Sequence, residues 1–194
     1  MVWGYAFDNN DFNISFYCGS NHISGRSNKT SIIMGNKVRR HDKEVTDPEG
    51  IREILRKSLV CHLALVDDGK PYMVSMNYGF SDDTIYLHCA LEGRKVDILR
   101  KNQDVCFQVY NGNRLTTGPN ACGDWTMKYR SVTGFGKVTL IEDDKEKIPP
   151  MQIIMDQYTT KGPFEFAPER VAETLVIRID IDEMTGKISG YPSE

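Results

Sequence analysis

The stretch Thr84–Asn102, TIYLHCALEGRKVDILRKN, decides the fold. Thr84 to Ala90 is β-branched, aromatic and apolar on both faces, the composition of a strand in a barrel or sandwich core. Leu91-Glu92-Gly93 breaks that strand. Arg94 to Lys101 then has helical spacing, with Val96 and Leu99 on one face and Asp97 and Lys101 placed at i,i+4. A helix N-terminus offers unpaired N–H groups and a partial positive charge. Arg94 and Lys95 add two cations there, and Gly93 allows close backbone approach, so the segment reads as a phosphate seat. The competing reading is a solvated cationic helix start, because cations ordinarily sit at the other end of a helix.

Upstream, Thr46-Asp47-Pro48-Glu49 is a helix start, with Asp47 as N-cap and Pro48 at the first helical position. Ile51, Ile54, Leu55 and Leu59 supply its apolar face. A strand from Val60 to Val66 meets a hairpin turn at Asp67-Asp68-Gly69-Lys70. The return strand runs from about Pro71 to Phe80, with Tyr72, Val74, Met76, Tyr78 and Phe80 on one face and Met73, Ser75 and Asn77 on the other. Ser81-Asp82-Asp83 turns into the strand at Thr84.

Downstream, Val105 to Tyr110 is a strand and Asn111 to Asp124 a long loop. Trp125 to Ile141 reads as one long strand or two with a bend, since Gly134 and Gly136 suggest a bulge. Asp143-Asp144 opens a helix to about Tyr158, interrupted near its start by Pro149-Pro150. Thr174 to Ile181 alternates, with Leu175, Ile177, Ile179 and Ile181 inward, and Thr185-Gly186-Lys187 ends the body. About six strands with few helices predict a mostly β fold, a small antiparallel β-barrel with marginal helices.

The 194 residues suffice for one domain with a sizeable core. We place it at 38–194, with an N-terminal extension over 1–37. That extension is asparagine-rich and has no clear period; Met34 is a candidate natural start. Its aromatics (Trp3, Tyr5, Phe7, Phe12, Phe16, Tyr17) leave two readings open, low structural content or docking on the body or a partner. The net charge of −3 gives no global attraction to nucleic acid or anionic membrane. No apolar run spans a membrane and no secretory signal opens the chain. Five cysteines, none in a CxxC pair, suit a reducing, cytoplasmic setting. The four histidines have no metal-binding spacing, and no nucleotide-binding or hydrolase signature is present. His62 and His88 each sit in a strand, where packing is the ordinary role. His88 has the stronger functional claim because it lies just ahead of Gly93-Arg94-Lys95.

Three runs carry a family resemblance: residues 71–109, PYMVSMNYGFSDDTIYLHCALEGRKVDILRKNQDVCFQV; residues 125–143, WTMKYRSVTGFGKVTLIED; and residues 176–187, VIRIDIDEMTGK. Together they resemble the FMN-binding split barrel of the pyridoxamine 5'-phosphate oxidase superfamily, nearest to its nitroimidazole-resistance (Nim-type) branch. The resemblance covers Val38 to Lys187. It implies a six-stranded, homodimeric split barrel with FMN in clefts at the dimer interface. Carried over residue by residue, His88 and Cys89 run along the isoalloxazine ring, and Gly93, Arg94 and Lys95 fall on the phosphate site. Val74, Ser75 and Met76 line the flavin. Tyr72 and Asn77 stand where oxidase relatives place an Arg and a Lys, a departure from the oxidases. Arg130 and Ser131 fall on an Arg-Gln pair that reaches the flavin region across the dimer.

The resemblance implies an FMN-dependent oxidoreductase reducing small aromatic substrates such as 5-nitroimidazoles. In such a protein the flavin transfers the electrons and the chain supplies orientation and electrostatics. His88 is the candidate catalytic residue, as proton donor or tuner of the potential. The tail ISGYPSE holds neither the Arg nor the His that oxidases use for a second phosphate, which speaks against a true pyridoxamine-phosphate oxidase. The alternatives are a flavin- or haem-binding protein without turnover, and a relative that uses a deazaflavin.

Overall fold

The computed structural model describes residues 33–34 and 38–192. Of the expected extension, Ile33–Met34 is described, as a short strand (β1); residues 1–32 and 35–37 lie outside the described residues. The other strands are β2 (Glu44–Val45), β3 (Cys61–Asp67), β4 (Lys70–Met76), β5 (Tyr78–Ser81), β6 (Thr84–Ala90), β7 (Asp104–Thr116), β8 (Thr126–Ile141) and β9 (Thr174–Ser189). The helices are α1 (Pro48–Lys57), α2 (Arg94–Lys101), α3 (Ala121–Asp124), α4 (Asp144–Asp156) and α5 (Pro168–Ala172).

The fold is mostly β. Its hydrogen-bonded path runs β4-β3-β7-β8-β9-β6-β5, all antiparallel, while β1 (parallel) and β2 (antiparallel) add to β9. Among the described residues the sheet is not closed by hydrogen bonds. Its two edges, β4 and β5, are nonetheless consecutive in the chain, separated by Asn77 alone. The single return strand expected over 71–80 is therefore two strands that pair with opposite ends of the sheet. Side-chain alternation alone could not reveal this, because Tyr78 and Phe80 stay buried beyond the break.

The corner at Asn77 is fixed from outside the sheet. The Tyr78 N–H donates to the Tyr158 hydroxyl at 2.8 Å, and that hydroxyl donates to the Leu59 carbonyl at 2.8 Å. The buried Tyr78 hydroxyl donates to the Leu55 carbonyl at the end of α1. Gln157 Nε2 lies 2.9 Å from the carbonyls of Leu55, Arg56 and Ser58, so α1's last carbonyls are met by side chains from the end of α4. A Cβ on Gly79 would lie 2.5 Å from the Ile153 carbonyl oxygen, so α4 packs directly on the β5 backbone.

The local signals at two turns fold as read. Asp67 pairs with Lys70 across Asp68 and Gly69, both at positive φ. Asp47 caps α1, its carboxylate accepting from the Glu49 and Gly50 N–H groups at 3.4 and 2.9 Å. The core joins Ile51, Ile54 and Leu55 of α1 to Leu63 and Leu65 of β3, Ile85 and Leu87 of β6, Phe107 and Val109 of β7, and Ile177, Ile179 and Ile181 of β9.

The described residues hold nine strands where about six were expected, and besides the divided 71–80 strand three further expectations are corrected. β7 continues to Thr116 where a loop was expected from Asn111, because its far half pairs with β8 as an outlying hairpin after a register shift between Asn111 and Arg114. β9 runs through Gly186 to Ser189, paired with both β8 and β2. α4 carries Pro149 and Pro150 inside one continuous helix. The donors those prolines lack would have served the carbonyls of Lys145 and Glu146, which are exposed and can turn to water.

Candidate functional site

β6 and α2 meet at Gly93, the helix N-cap, with φ +124° and no capping side chain. A Cβ there would meet nothing within 4 Å, so the glycine leaves open space at a conformation that L residues rarely adopt. The helix buries Val96, Ile98 and Leu99, which anchors its first turn at the end of β6.

Next to this junction lies an open cleft of about 680 Å³, within the size range of small-molecule sites. Ser75, Met76 and Asn77 line it from the β4/β5 corner, His88, Cys89 and Ala90 from the end of β6, and Lys95 from α2. Arg170, Glu173 and Thr174 complete it from α5 and the start of β9. The β6–β9 register places Thr174 opposite Ala90, which brings the α5 end to the same place as the α2 start.

The electrostatics of the cleft centre on Lys95. Among the described residues its hydrogen-bond partner is the Met76 thioether, 3.4 Å away, a weak acceptor for an ammonium group. Partial burial and then the Lys95 charge hold the His88 imidazole below its ordinary pKa. At neutral pH His88 is therefore a neutral ring with one donor and one acceptor nitrogen. Burial raises the Cys89 thiol while Lys95 opposes the shift, so Cys89 stays a thiol. A cleft with an ammonium group met, among the described residues, by a thioether, with a neutral imidazole, Ser, Asn and Thr side chains, strand backbone and an exposed Arg170–Glu173 pair, suits an anionic, partly planar ligand.

The other expected residues are placed differently. Val74 and Tyr72 face inward and pack on the core. Arg94 donates from Nε and Nη2 to Asp67 Oδ2 at 3.2 and 3.1 Å, and its guanidinium lies 4.5 Å from the Tyr72 ring centroid. It flanks the helix start without lining the cleft. Ser131 is buried on β8. Arg130 stacks on Tyr191 at 4.2 Å and lines a separate cavity of about 380 Å³ beside α1. His62 stacks on Tyr110, with ring centroids 5.3 Å apart, and its Nδ1 lies 2.9 Å from Ser75 Oγ, a packed role outside the cleft lining. Arg170, Glu173 and Thr174 were missed by sequence reasoning: α5 has five residues, too short for a periodic signal.

Among the described residues no group of three or more His, Cys, Asp or Glu side chains could hold a metal ion, and no helix is long and apolar enough to cross a membrane.

Comparison with known proteins agrees with the fold. The pyridoxamine 5'-phosphate oxidase family model matches residues 47–188. A candidate 5-nitroimidazole antibiotic resistance protein from Bacteroides thetaiotaomicron is 34% identical, with 75% of this chain and 86% of that chain covered and a TM-score of 0.67. Two solved structures share the fold: the flavocytochrome Anf3 from Azotobacter vinelandii (22% identity, 81% of this chain and 74% of that one, TM-score 0.69) and the FAD and haem binding protein from Mycobacterium smegmatis (21% identity, 78% and 76%, TM-score 0.68). The search of curated proteins gave no match. Matched over most of its length, the chain belongs to the pyridoxamine 5'-phosphate oxidase family of split barrels.

Proposed function

We propose that the chain binds FMN in the cleft between β4, β6 and α2 and acts as an oxidoreductase on small aromatic substrates such as 5-nitroimidazoles. The observation that carries this reading is the cleft itself. A weakly engaged Lys95, the open Gly93 junction and the strand edges of Ser75–Asn77 and His88–Cys89 converge there, in a family member 34% identical to a candidate 5-nitroimidazole resistance protein. The polar lining and volume fit a flavin nucleotide.

Bound there, FMN would supply one- or two-electron transfer. Lys95 and the N-terminal amides of α2 would hold the phosphate. Ser75, Asn77 and the β6 backbone would orient the ring, with Met76 as an apolar wall. His88, neutral at rest, would donate a hydrogen bond at the ring or substrate edge.

A second copy of the chain completes the proposal. Met73 (66% exposed), Phe135 (50%) and Tyr110 (41%) lie on the outward sheet face. Met73, Ala64, Cys106 and Phe135 form one row across β4, β3, β7 and β8. Such a contiguous apolar face suits a self-complementary dimer. Arg130, remote from the cleft of its own chain, would act across that interface.

The test is a single anaerobic turnover. FMN-loaded protein reduced with dithionite, freed of excess reductant and mixed with a 5-nitroimidazole should regain flavin absorbance as the nitro compound is consumed. Persistent reduction would leave a flavin carrier without turnover on this substrate. A haem reading is also testable: neutral His88 lines the cleft and could ligate iron, in which case purified protein would show a Soret band.

A further inference from the structure

We propose that Arg170 is the second cation for the cofactor phosphate, and that its pairing with Glu173 is a latch that the incoming anion releases. This rests on the flavin-nucleotide reading above.

A phosphate monoester is close to a dianion at neutral pH. The cleft meets it with Lys95, which leaves one charge unmatched. Arg94 lies outside the cleft lining: it donates to Asp67 Oδ2 and its guanidinium covers the Tyr72 ring. Arg170 lines the same cleft as Lys95. Thr174, four residues on, lies opposite Ala90 at the end of β6, three residues before Gly93. The two cations thus approach the phosphate end of the cleft from different elements, α2 and α5.

Arg170 is held there by the core although its own side chain is exposed. The adjacent Val171 is 3% exposed. Lys147, 2% exposed on α4, donates to the Val171 carbonyl at 3.2 Å and to Asp144 Oδ1 at 2.7 Å. This buried ammonium group ties the backbone of α5 to α4, and α4 in turn sits on Gly79. A short helix clamped in this way presents its next side chain reproducibly.

The side chain itself is free to exchange partners. Arg170 Nη1 donates to Glu173 Oε2 at 3.0 Å, with both side chains mostly exposed at 76% and 67%. Exposed pairs of this kind bind weakly. A phosphate offers Arg two parallel charge-assisted bonds in place of one. Glu173, also in the cleft lining, competes with the anion for Arg170, and once Arg170 turns to the phosphate it is left as an unpaired like charge nearby. The latch therefore tunes affinity downward, and its two members should act in opposite directions.

Titration of the purified chain with FMN and with riboflavin, followed by flavin fluorescence, tests this. Arg170→Ala should weaken FMN about tenfold or more and leave riboflavin unchanged. Glu173→Gln should tighten FMN and leave riboflavin unchanged. Arg94→Ala should cost less FMN affinity than Arg170→Ala. If Arg170→Ala binds FMN as wild type does while Lys95→Met binds it weakly, the Arg170 assignment is wrong and the flavin reading stands. Equal losses for FMN and riboflavin would also overturn it, because Arg170 would then act on the ring or the fold. Wild-type protein that binds neither ligand would sink the flavin reading, and the Arg170 assignment with it.

Discussion

Replacing Gly79 with alanine should loosen the β4/β5 corner and, through it, the cleft. The new methyl carbon would sit 2.5 Å from the Ile153 carbonyl oxygen, and 2.6 Å from the Ile153 carbonyl carbon and the Ile154 nitrogen. All three are backbone atoms of α4, so no side-chain rotation relieves the overlap. Moving from 2.5 Å to the 3.4 Å at which ordinary contact begins requires α4 to retreat by about 0.9 Å. Overpacking of this kind costs roughly 1–3 kcal/mol, and the rigid neighbour argues for the upper half of that range. For a chain of this size each kcal/mol lowers Tm by about 2–4 °C, so a drop of about 4–12 °C is expected. Because Lys147 joins α4 to α5, the same variant should weaken FMN binding although Gly79 does not line the cleft. Differential scanning fluorimetry and flavin titration read the two effects. A Tm within 1 °C of wild type would refute direct packing of α4 on the β5 backbone.

Lys95→Met should weaken FMN by roughly 1.5–3 kcal/mol, the worth of a hydrogen bond to a charged group, as read by fluorescence titration. In the ligand-free protein the same substitution should raise the His88 pKa, since burial and then the Lys95 charge lower it; NMR titration of the imidazole protons gives the answer. Because the folded His88 pKa lies below its unfolded value, the unfolded chain takes up a proton first as pH falls towards the folded value. Stability should therefore decline through that window, and His88→Gln should flatten that part of the urea-denaturation profile. Cys61, fully buried with its thiol pushed up to about 12, should resist iodoacetamide in native protein, whereas the exposed Cys122 should be alkylated, as read by peptide mapping. Phe135→Lys should shift the sedimentation coefficient from dimer to monomer if the outward face of β8 is the interface.

Much of the fold was legible because its signals are local. The β-branched run 84–90, the Gly93 break and the helical spacing of Arg94 to Lys101 each act within a few residues, and they fold as read. The Asp68-Gly69 turn and the Asp47 cap are local in the same sense. The break at Asn77 was not legible, because it is imposed by Tyr158 and Ile153, which are remote in sequence. The outer half of β7 was hidden by exposed polar residues that carry no alternation; pairing with β8 alone makes it a strand. In the candidate site, the residues of β4, β6 and Lys95 came from contiguous runs that a family resemblance could map. Arg170 and Glu173 did not, since α5 reaches the cleft through β9 pairing and the buried Lys147, neither of which leaves a mark near residues 168–172.

Flavin binding by the cleft is decided by equilibrium dialysis of the wild-type chain against FMN, with the bound flavin quantified by its visible spectrum and run beside Lys95→Met. Wild type should bind about one FMN per chain, with flavin bands and no Soret band, and the variant should show a marked loss. Wild-type protein that takes up no FMN, or a variant that takes it up equally well, would contradict flavin binding by the cleft.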